Sequence, residues 1–529
     1  MKYERFLFLA MVLLALSIIV IPDCYVTGDG PSHTYNAKVW FDYLFTSERT
    51  FYKPFYQLNK SIEPNWMSHI LLGVFTRFLK PMLADKVVQV CYVTLFAYGF
   101  RSLIHAIRDE NRFLSYLFFP FVFTLAFQQG FYNYSFAIAF MFWSLSYFLR
   151  NYQEITSVHK AFNLFLLLGF TILSHGMIAG YTLLLIVALW IIFRYRELIT
   201  FQFRMLWDEI RVLTLISTPL LLLLVGFLFR TGLDTVPHAL TLQQKAVQWS
   251  KLYFLMSTKQ LEFYPLLVVV LGIVFGFFYA LFRIRTTQAI GILFLLMAAY
   301  TTYSYLCAPH SIGGAGSIDL RLAFLPLLFL IFFLASIEFP DSIKTYSMFF
   351  CFALLGVLLA IRFPSVLKAS DLSDELLSCR SEIRDQSVVL NLHMDDAHHL
   401  SEKEVLFEAD ASFIHLTDYL GAYNDKHLIL LNNYEADLNY FPVQWRPGMS
   451  PRFSAPGFNP GNYPPCDSYQ NYEKATGTKI DYILLQNWNS KQKQQPCVQA
   501  LMDSILIHFN QKFVSSSKHL LLFERRTDN

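Results

Sequence analysis

Charged residues are scarce in this chain. Asp, Glu, Lys and Arg make up 15% of its 529 residues, against about 25% in an average soluble domain. Hydrophobic residues make up 55%, so the chain has too few polar side chains to cover a water-facing surface of this size. This composition excludes a soluble enzyme. The net charge of +3 is too small and too scattered to indicate a nucleic-acid-binding protein.

Cysteine is also rare. The sequence has 7 cysteines and no C-x-x-C pair or close His/Cys cluster, which argues against a zinc site built on such spacing. Cys466 and Cys497 lie in the C-terminal part. They are candidates for a disulfide if that part lies in an oxidising compartment.

The charge density changes along the chain. Residues 1–364 hold 27 Lys+Arg and 18 Asp+Glu, while the much shorter stretch 365–529 holds 15 and 21. The composition therefore changes from membrane-like to soluble-like near residue 364. We predict a mainly α-helical, multi-span transmembrane bundle in 1–364 and a small C-terminal α/β domain in 365–529. Short apolar runs predict the strands of that domain, at 388–390, 428–431, 482–485 and 520–523.

Apolar runs of about 17–25 residues are long enough to cross a bilayer. They predict about eleven spans, at 6–22, 86–105, 113–128, 131–149, 161–174, 176–193, 212–229, 263–282, 288–306, 321–337 and 346–363. The first span lacks a small-x-small cleavage site, so we interpret it as a retained anchor. Ser174-His175-Gly176 interrupts one apolar run, which favours a hairpin tip just inside one membrane face, although a single long span is the alternative.

Segment 66–79 is too short for a regular span, and the distribution of basic residues helps to place it. If it does not cross, the loops assigned to the cytoplasm hold 12 Lys+Arg and the opposite loops hold 5. If it crosses, this ratio inverts. The positive-inside rule then predicts a cytoplasmic N-terminus and an extracytoplasmic tail, which in a bacterium is periplasmic.

The densest polar cluster follows the first span, at the start of a long outer loop, 23–85. It runs from Gly28 to Ala37 and contains Asp29, with His33 one turn into the helix that Pro31 helps to begin. One interpretation is that Asp29 caps this helix. The other is that Asp29 is a general base at the lipid–water boundary, where a lipid-linked substrate presents its head group.

The order of these features resembles the GT-C superfamily of polyprenyl-phosphate-sugar-dependent glycosyltransferases, nearest to its protein O-mannosyltransferase and aminoarabinose transferase branches. An acidic residue opens the long outer loop, and a Pro-led juxtamembrane helix follows. Leu173-Ser174-His175-Gly176 is similar to the Lys-Gly-Pro helix tip of those branches. The stretch from Arg321 to Leu328 is similar to their Arg-Tyr-x-Leu-Pro-Leu-Leu-Pro motif. The resemblance covers about residues 1–340.

Two positions depart from the family pattern. The usual Asp-Glu pair is Asp29-Gly30 here, and Asn133 stands where several branches have an acid. Two or more carboxylates usually share a divalent cation. The departures therefore leave a bound metal open but do not favour it, and no other cofactor is expected. Glu63 is the candidate for a second carboxylate.

The resemblance implies a membrane-embedded, inverting glycosyltransferase. It would move a sugar from a polyprenyl-phosphate donor to an extracytoplasmic acceptor, which is a glycan, lipid or protein. The implied catalytic residues are Asp29, His33 and Glu63. The implied phosphate-binding residues are His175, Arg321 and Lys53. The implied acceptor or sugar contacts are Asn36, His69, Asn133, His310 and Asp319. For Arg321 the alternative is a side chain that snorkels at a helix end, and for His175 it is a buried, hydrogen-bonded cap of the hairpin.

Two other classes of function remain open. A transporter or lipid flippase would show internal symmetry and charged or Gly/Pro-broken span centres. The spans at 212–229, 263–282 and 288–306 have almost no ionisable residues, which favours interfacial chemistry. A non-catalytic membrane scaffold that presents the tail is the other alternative.

Overall fold

The computed structural model describes residues 4–232, 234–237, 240–283, 289–313, 315–394, 399–401, 404–408, 413–462, 464–488 and 494–526. Within these ranges the chain is mostly helical, as predicted, with a sheet near the C-terminus. Seven helices are long and apolar enough to cross a membrane: Pro81–Ile107, Gly176–Phe193, Leu206–Thr231, Gln260–Phe282, Ala289–Cys307, Ile318–Ala335 and Asp341–Glu382.

The first part combines long apolar helices with short helices of as few as 4 residues. The helices of the first part are α1 (Glu4–Val20), α2 (Gly30–Phe45), α3 (Arg49–Tyr52), α4 (Met67–Thr76), α5 (Pro81–Ile107), α6 (Phe119–Val122), α7 (Leu125–Gln128), α8 (Tyr132–Asn151), α9 (Val158–Ser174), α10 (Gly176–Phe193), α11 (Tyr195–Ile199), α12 (Phe203–Thr231), α13 (Leu242–Ser250), α14 (Phe263–Phe282), α15 (Ala289–Cys307), α16 (Ile318–Ala323), α17 (Leu325–Ala335) and α18 (Asp341–Leu377). The strands of this part are β1 (Tyr56–Leu58), β2 (Thr235–Val236) and β3 (Ser311–Ile312).

Two predicted spans contain breaks between helices. Segment 113–128 is divided between a 3-10 helix at Asp109–Phe118 and the short helices α6 and α7. Pro120 stands in the first turn of α6, and Thr124 starts a new helix by accepting a hydrogen bond from Phe127 N. The prediction of a regular span here was wrong, because an apolar run reports burial and not helical continuity. Span 321–337 is divided by a single turn residue, Phe324, between α16 and α17. The other predicted spans coincide with single helices over the described residues.

Helix α4 has 10 residues, about 15 Å at 1.5 Å per residue, which is too short to cross a bilayer. It packs beside α2 and against the C-terminal part, where Trp66 Nε1 donates a 2.8 Å hydrogen bond to Tyr440 O. The prediction that segment 66–79 does not span is consistent with this length. Its placement on the outer membrane face stays a prediction.

The C-terminal part contains a five-stranded mixed sheet. Its strands are β4 (Ser387–His393), β7 (Leu428–Leu430), β9 (Tyr482–Gln486), β10 (Phe509–Val514) and β11 (Leu520–Arg525), and their spatial order is β10-β11-β9-β4-β7. Strand β4 pairs in parallel with β7 and β9, whereas β11 pairs antiparallel with β9 and β10. All four predicted strands lie in this sheet. The remaining elements are β5 (His399–Ser401), β6 (Glu404–Val405), β8 (Val443–Trp445), α19 (Tyr419–Ala422), α20 (Pro451–Ser454), α21 (Tyr469–Thr476) and α22 (Pro496–His508).

The first outer loop and the C-terminal part share one hydrophobic core. Strand β1 pairs antiparallel with β8, with Tyr56 opposite Trp445. The hydroxyl of Tyr35, a fully buried residue of α2, donates a 2.8 Å hydrogen bond to Leu428 O. Helix α18 continues without a break past the predicted boundary at 364 to Leu377. In the same part, Cys466 and Cys497 form the disulfide for which they were candidates.

Candidate functional site

A cavity of about 400 Å³ lies where the outer loop, three membrane-helix ends and the C-terminal part meet. Its polar lining includes Asp29, His33, Asn133, His175 and Arg321, five of the residues predicted from the sequence. Phe131, Tyr134, Leu438, Tyr440 and Phe441 supply an aromatic and apolar part of the wall. The cavity therefore offers both polar and apolar surface to whatever enters it.

The Asp29 carboxylate faces this cavity and does not cap helix α2. Asp29 occupies the N-cap position, but its side chain makes no capping hydrogen bond. The backbone fixes the residue instead: Asp29 N donates to Gln129 O at 3.0 Å, and His33 N donates to Asp29 O at 2.9 Å. A Cβ on Gly130, which has φ +84°, would lie 2.5 Å from Asp29 N. Glycine at position 130 thus permits the close approach that holds Asp29 in place.

The electrostatic surroundings of Asp29 suit a proton acceptor. Burial raises its pKa, and the cationic forms of His33 and His415 oppose that rise. His415 Nε2 lies 3.9 Å from Asp29 Oδ1, and His415 Nδ1 lies 3.5 Å from Asp418 Oδ2. Burial lowers the pKa of His415, but Asp418 and Asp29 outweigh this and raise it. His415 therefore lies at the cavity wall between two carboxylates whose charges favour its cationic form.

Arg321 provides a positive charge at the membrane-helix side of the cavity. Its guanidinium lies 4.4 Å from the ring centroid of Phe131, and its Nη1 lies 3.3 Å from His175 Nε2. At that distance His175 Nε2 accepts the hydrogen bond without its own proton. Arg321 Nε is buried and has no hydrogen-bond partner among the described residues. The Arg321 guanidinium could donate a hydrogen bond to an anion in the cavity.

His33 and His69 are joined by Glu435, which comes from the C-terminal part. His33 Nδ1 lies 2.6 Å from Glu435 Oε1, and His69 Nε2 lies 2.9 Å from Glu435 Oε2. Burial alone lowers the pKa of His33, but the charge of Glu435 and its hydrogen bond raise it to about 9. Burial lowers the pKa of His69, and Glu435 opposes this. Burial raises the pKa of Glu435, but both histidines outweigh that effect and hold it well below its usual range.

Among the described residues, the side chains of His33, His69 and Glu435 form the group that could hold a metal ion. Their candidate ligand atoms lie within 4.8 Å of one another, and all three residues are buried. Two histidines and one carboxylate form a ligand set known for zinc. The separations of 2.6 and 2.9 Å are those of direct hydrogen bonds, which a shared proton satisfies. Holding a metal would require the three side chains to move apart.

Two predicted contact residues position other groups. Asn133 Oδ1 accepts from Ser68 N at 2.8 Å, and its Nδ2 donates to Asn65 O at 2.6 Å, so this amide holds the start of α4 against the cavity. Asn36 Nδ2 donates to Asn433 Oδ1 at 2.9 Å. Asn36 is buried and, like His69, is not part of the cavity wall.

The structure places four predicted site residues away from the cavity. Glu63, proposed as a second carboxylate, is held by Arg230, whose Nε lies 2.5 Å from Glu63 Oε1. Lys53 is exposed at the end of α3. His310 and Asp319 flank the stretch 315–317 that lines the cavity, but neither belongs to the wall. Their predicted roles are not supported by these positions, because sequence proximity to a membrane face does not fix the direction of a side chain.

Several site residues were not predicted from the sequence. His415, Tyr434 and Glu435 come from the C-terminal part and carry no local motif. Asp85 carried a weaker signal, as an acid near the start of the apolar helix α5. Its Oδ2 accepts from Tyr419 at 2.6 Å and from Tyr132 at 3.1 Å, just behind the cavity.

The similarity of this chain to known proteins lies in solved structures. No family model matches the chain, and no curated protein matches it. Among solved structures, the oligosaccharyltransferase of Archaeoglobus fulgidus, in complex with Zn and sulfate, is similar over 91% of this chain and 68% of its own, with a TM-score of 0.39 and 11% identity. At this TM-score and identity, the likeness transfers no family, residue role, donor or metal to this chain.

Proposed function

We propose that this chain is a membrane-embedded glycosyltransferase that moves a sugar from a polyprenyl-phosphate donor to an extracytoplasmic acceptor, with inversion. The observation that carries the proposal is the meeting of Asp29, His175 and Arg321 in one cavity at the ends of membrane helices. A lipid-linked sugar needs a cation for its phosphate and a base for the acceptor within one site at the membrane surface.

In the proposed reaction, the acceptor hydroxyl or amine attacks the anomeric carbon of the donor sugar. A bond forms between the acceptor atom and that carbon, and the bond from the carbon to the phosphate oxygen breaks. The electron pair of the broken bond goes to the phosphate. The acceptor proton goes to the Asp29 carboxylate, whose raised pKa makes it a stronger base than an exposed aspartate.

Arg321 is the proposed phosphate ligand. Its unpartnered Nε and its neighbouring Nη atoms suit bidentate contact with two phosphate oxygens. The contact would strengthen as negative charge develops on the leaving phosphate, which stabilises the transition state. His175 would orient the guanidinium through its 3.3 Å contact with Nη1.

The proposal includes a topology. The cavity lies at the same end of the bundle as the C-terminal part, which supplies His415 and Tyr434 to its wall. With the N-terminus in the cytoplasm, this end is extracytoplasmic, and in a bacterium the protein would be an inner-membrane protein with a periplasmic tail.

The test compares Asp29→Asn with Asp23→Asn, a change of an exposed acid in the same loop. The assay is transfer of radiolabelled sugar from polyprenyl-phosphate donors in membranes at matched expression. We expect Asp29→Asn to lose about 10²–10⁴-fold in rate, as for loss of a general base, and Asp23→Asn to keep normal transfer. Asp29→Asn should keep a cooperative thermal unfolding transition, because the Asp29 carboxylate makes no capping hydrogen bond and an Asn oxygen can still accept the hydrogen bond from Tyr434. Near-normal transfer by Asp29→Asn would contradict the proposed base.

A further inference from the structure

A second pocket, of about 330 Å³, lies in the C-terminal part. It is found outside the carboxyl ends of the parallel strands β4 and β7, where His393 and Leu431 contribute to its wall. The crevice outside the carboxyl ends of parallel strands is the usual ligand position in open α/β sheets. The volume is near the lower end of the range of about 300–1,000 Å³ found for ligand sites.

This pocket adjoins the cavity that contains Asp29. His415, Tyr434 and Arg452 line both spaces. The rings of His415 and Tyr434 lie against each other, with centroids 4.7 Å apart and an interplanar angle of 32°. A molecule bound in the pocket would therefore reach the Asp29 carboxylate by passing this pair of rings.

The pocket wall is polar, and one of its polar atoms lacks a partner. Asn432 Nδ2 donates to Asp418 Oδ1 at 2.8 Å, while Asn432 Oδ1 is buried without a hydrogen-bond partner among the described residues. Asp437 also lines the pocket, and its Oδ1 accepts from Ser450 Oγ at 2.5 Å. Buried polar groups without partners are costly, so such atoms mark a position where a ligand supplies the missing hydrogen bond.

We propose that this pocket binds a saccharide, and that the saccharide is the acceptor of the transfer reaction; the second half of this inference rests on the proposed function. Amide, carboxylate, imidazole and guanidinium groups around a small space match the many hydroxyls of a sugar. The Tyr434 ring at the junction offers a flat apolar face to a sugar ring. A lipid acceptor would instead require an apolar chamber of greater length.

Gly461 at the pocket rim allows the space to be blocked without disturbing the core. Among the described residues, a Cβ on Gly461 would meet Asn459 Oδ1 alone within 4 Å, at 3.4 Å. Gly461→Trp therefore places a large ring at the pocket mouth. The matched control is Lys474→Trp, which adds the same ring at an exposed position of α21 outside the pocket. Asp437→Asn is a second pocket variant, which keeps the shape of the side chain and removes its charge.

The binding experiment uses the full-length protein in detergent and an array of immobilised glycans containing hexose, N-acetylhexosamine, pentose and uronic acid oligosaccharides. We expect binding to a defined subset, weakened at least tenfold by Gly461→Trp and by Asp437→Asn, and unchanged by Lys474→Trp. Asp29→Asn should bind the same glycans with the same affinity as the protein without substitutions. An empty array, or binding that Gly461→Trp does not weaken, would overturn the proposal.

The kinetic experiment uses the glycan bound most strongly as the acceptor. Gly461→Trp should raise the KM for that glycan at least tenfold with little change in kcat, whereas Asp29→Asn should lower kcat. Transfer to that glycan with an unchanged KM in Gly461→Trp would refute the acceptor role and leave the transferase proposal intact. Pocket-dependent binding with no transfer at all would refute the proposed function and keep the saccharide site.

Discussion

Glu435 holds the C-terminal part onto the outer loop, and replacing it should remove a specific pH dependence of stability. The carboxylate bridges His33 of α2 and His69 of α4 at 2.6 and 2.9 Å in a buried position. Glu435→Gln keeps the shape of the side chain but removes the charge that holds a proton on His33. We therefore expect Glu435→Gln to lower the unfolding midpoint most where His33 is protonated in the unchanged protein.

The size of the effect follows from the pKa of His33. Glu435 and its hydrogen bond raise this pKa from 6.5 to about 9 against the effect of burial, and each pH unit corresponds to about 1.36 kcal/mol. The protonated bridge thus contributes roughly 3 kcal/mol, similar to the 3–5 kcal/mol lost when a buried ion pair loses one partner. Because the folded pKa lies above the unfolded value, this stability is fully present below about pH 6.5 and is lost as pH rises through about 9.

The assay is thermal unfolding of the purified protein in detergent across that pH window. The unchanged protein should lose stability between the two pKa values, and Glu435→Gln should show a lower midpoint with little of this slope. Glu473→Gln is the control, because its partner Arg525 does not titrate in the window. That variant should be less stable at every pH while keeping the slope. Parallel pH profiles for the unchanged protein and Glu435→Gln would refute the assignment of the bridge to His33.

Three further predictions concern the donor, metal and topology. Arg321→Ala should raise the KM for the donor and lower kcat, because the Arg321 charge would contact the phosphate in both the ground state and the transition state. An unchanged KM for the donor in transfer kinetics would contradict this prediction. Elemental analysis of the purified protein should find far less than one metal ion per chain, because His33, His69 and Glu435 hydrogen-bond to one another directly. A chelator should leave the thermal unfolding profile unchanged. A stoichiometry near one metal ion per chain would contradict this prediction. The topology can be tested by cysteine labelling in a Cys307→Ser background, which removes an exposed thiol. Phe453 is 73% exposed, and Phe453→Cys should react with a membrane-impermeant thiol reagent in intact spheroplasts. Labelling only after lysis would reverse the topology.

Hydrophobic patterning predicted most of the fold, because both membrane helices and buried strands require continuous apolar runs. It could not locate breaks within those runs. Segment 113–128 is as apolar as a span, yet Pro120 and the Thr124 cap divide it. The boundary at residue 364 also followed from composition, whereas helix α18 continues to Leu377 because a helix does not end where its surroundings change from lipid to water.

The candidate site was predictable only on the side formed by the membrane part. Asp29, His175 and Arg321 occupy turns and helix ends whose order along the chain resembles a known family, and the structure brings them to one cavity. Glu435 begins a short 3-10 helix and His415 lies in a turn of the C-terminal part, and no local pattern relates them to Asp29 or His33. Their contacts arise from tertiary packing over separations such as the 402 residues between His33 and Glu435, which single-sequence patterns do not encode.

The pairing of β1 with β8 has a consequence for biosynthesis. Strand β1 emerges early, with the first outer loop, whereas its partner strand follows late, and Arg446 donates to Tyr56 O across 390 residues of sequence. Until the last membrane helix is inserted, Tyr35, Tyr52 and Tyr56, which are fully buried in the finished protein, have no core to enter. These tyrosine side chains of the nascent outer loop therefore lack their buried environment until the C-terminal part is made. A chain cut off before β8 would present the same surface permanently, which would mark it for degradation.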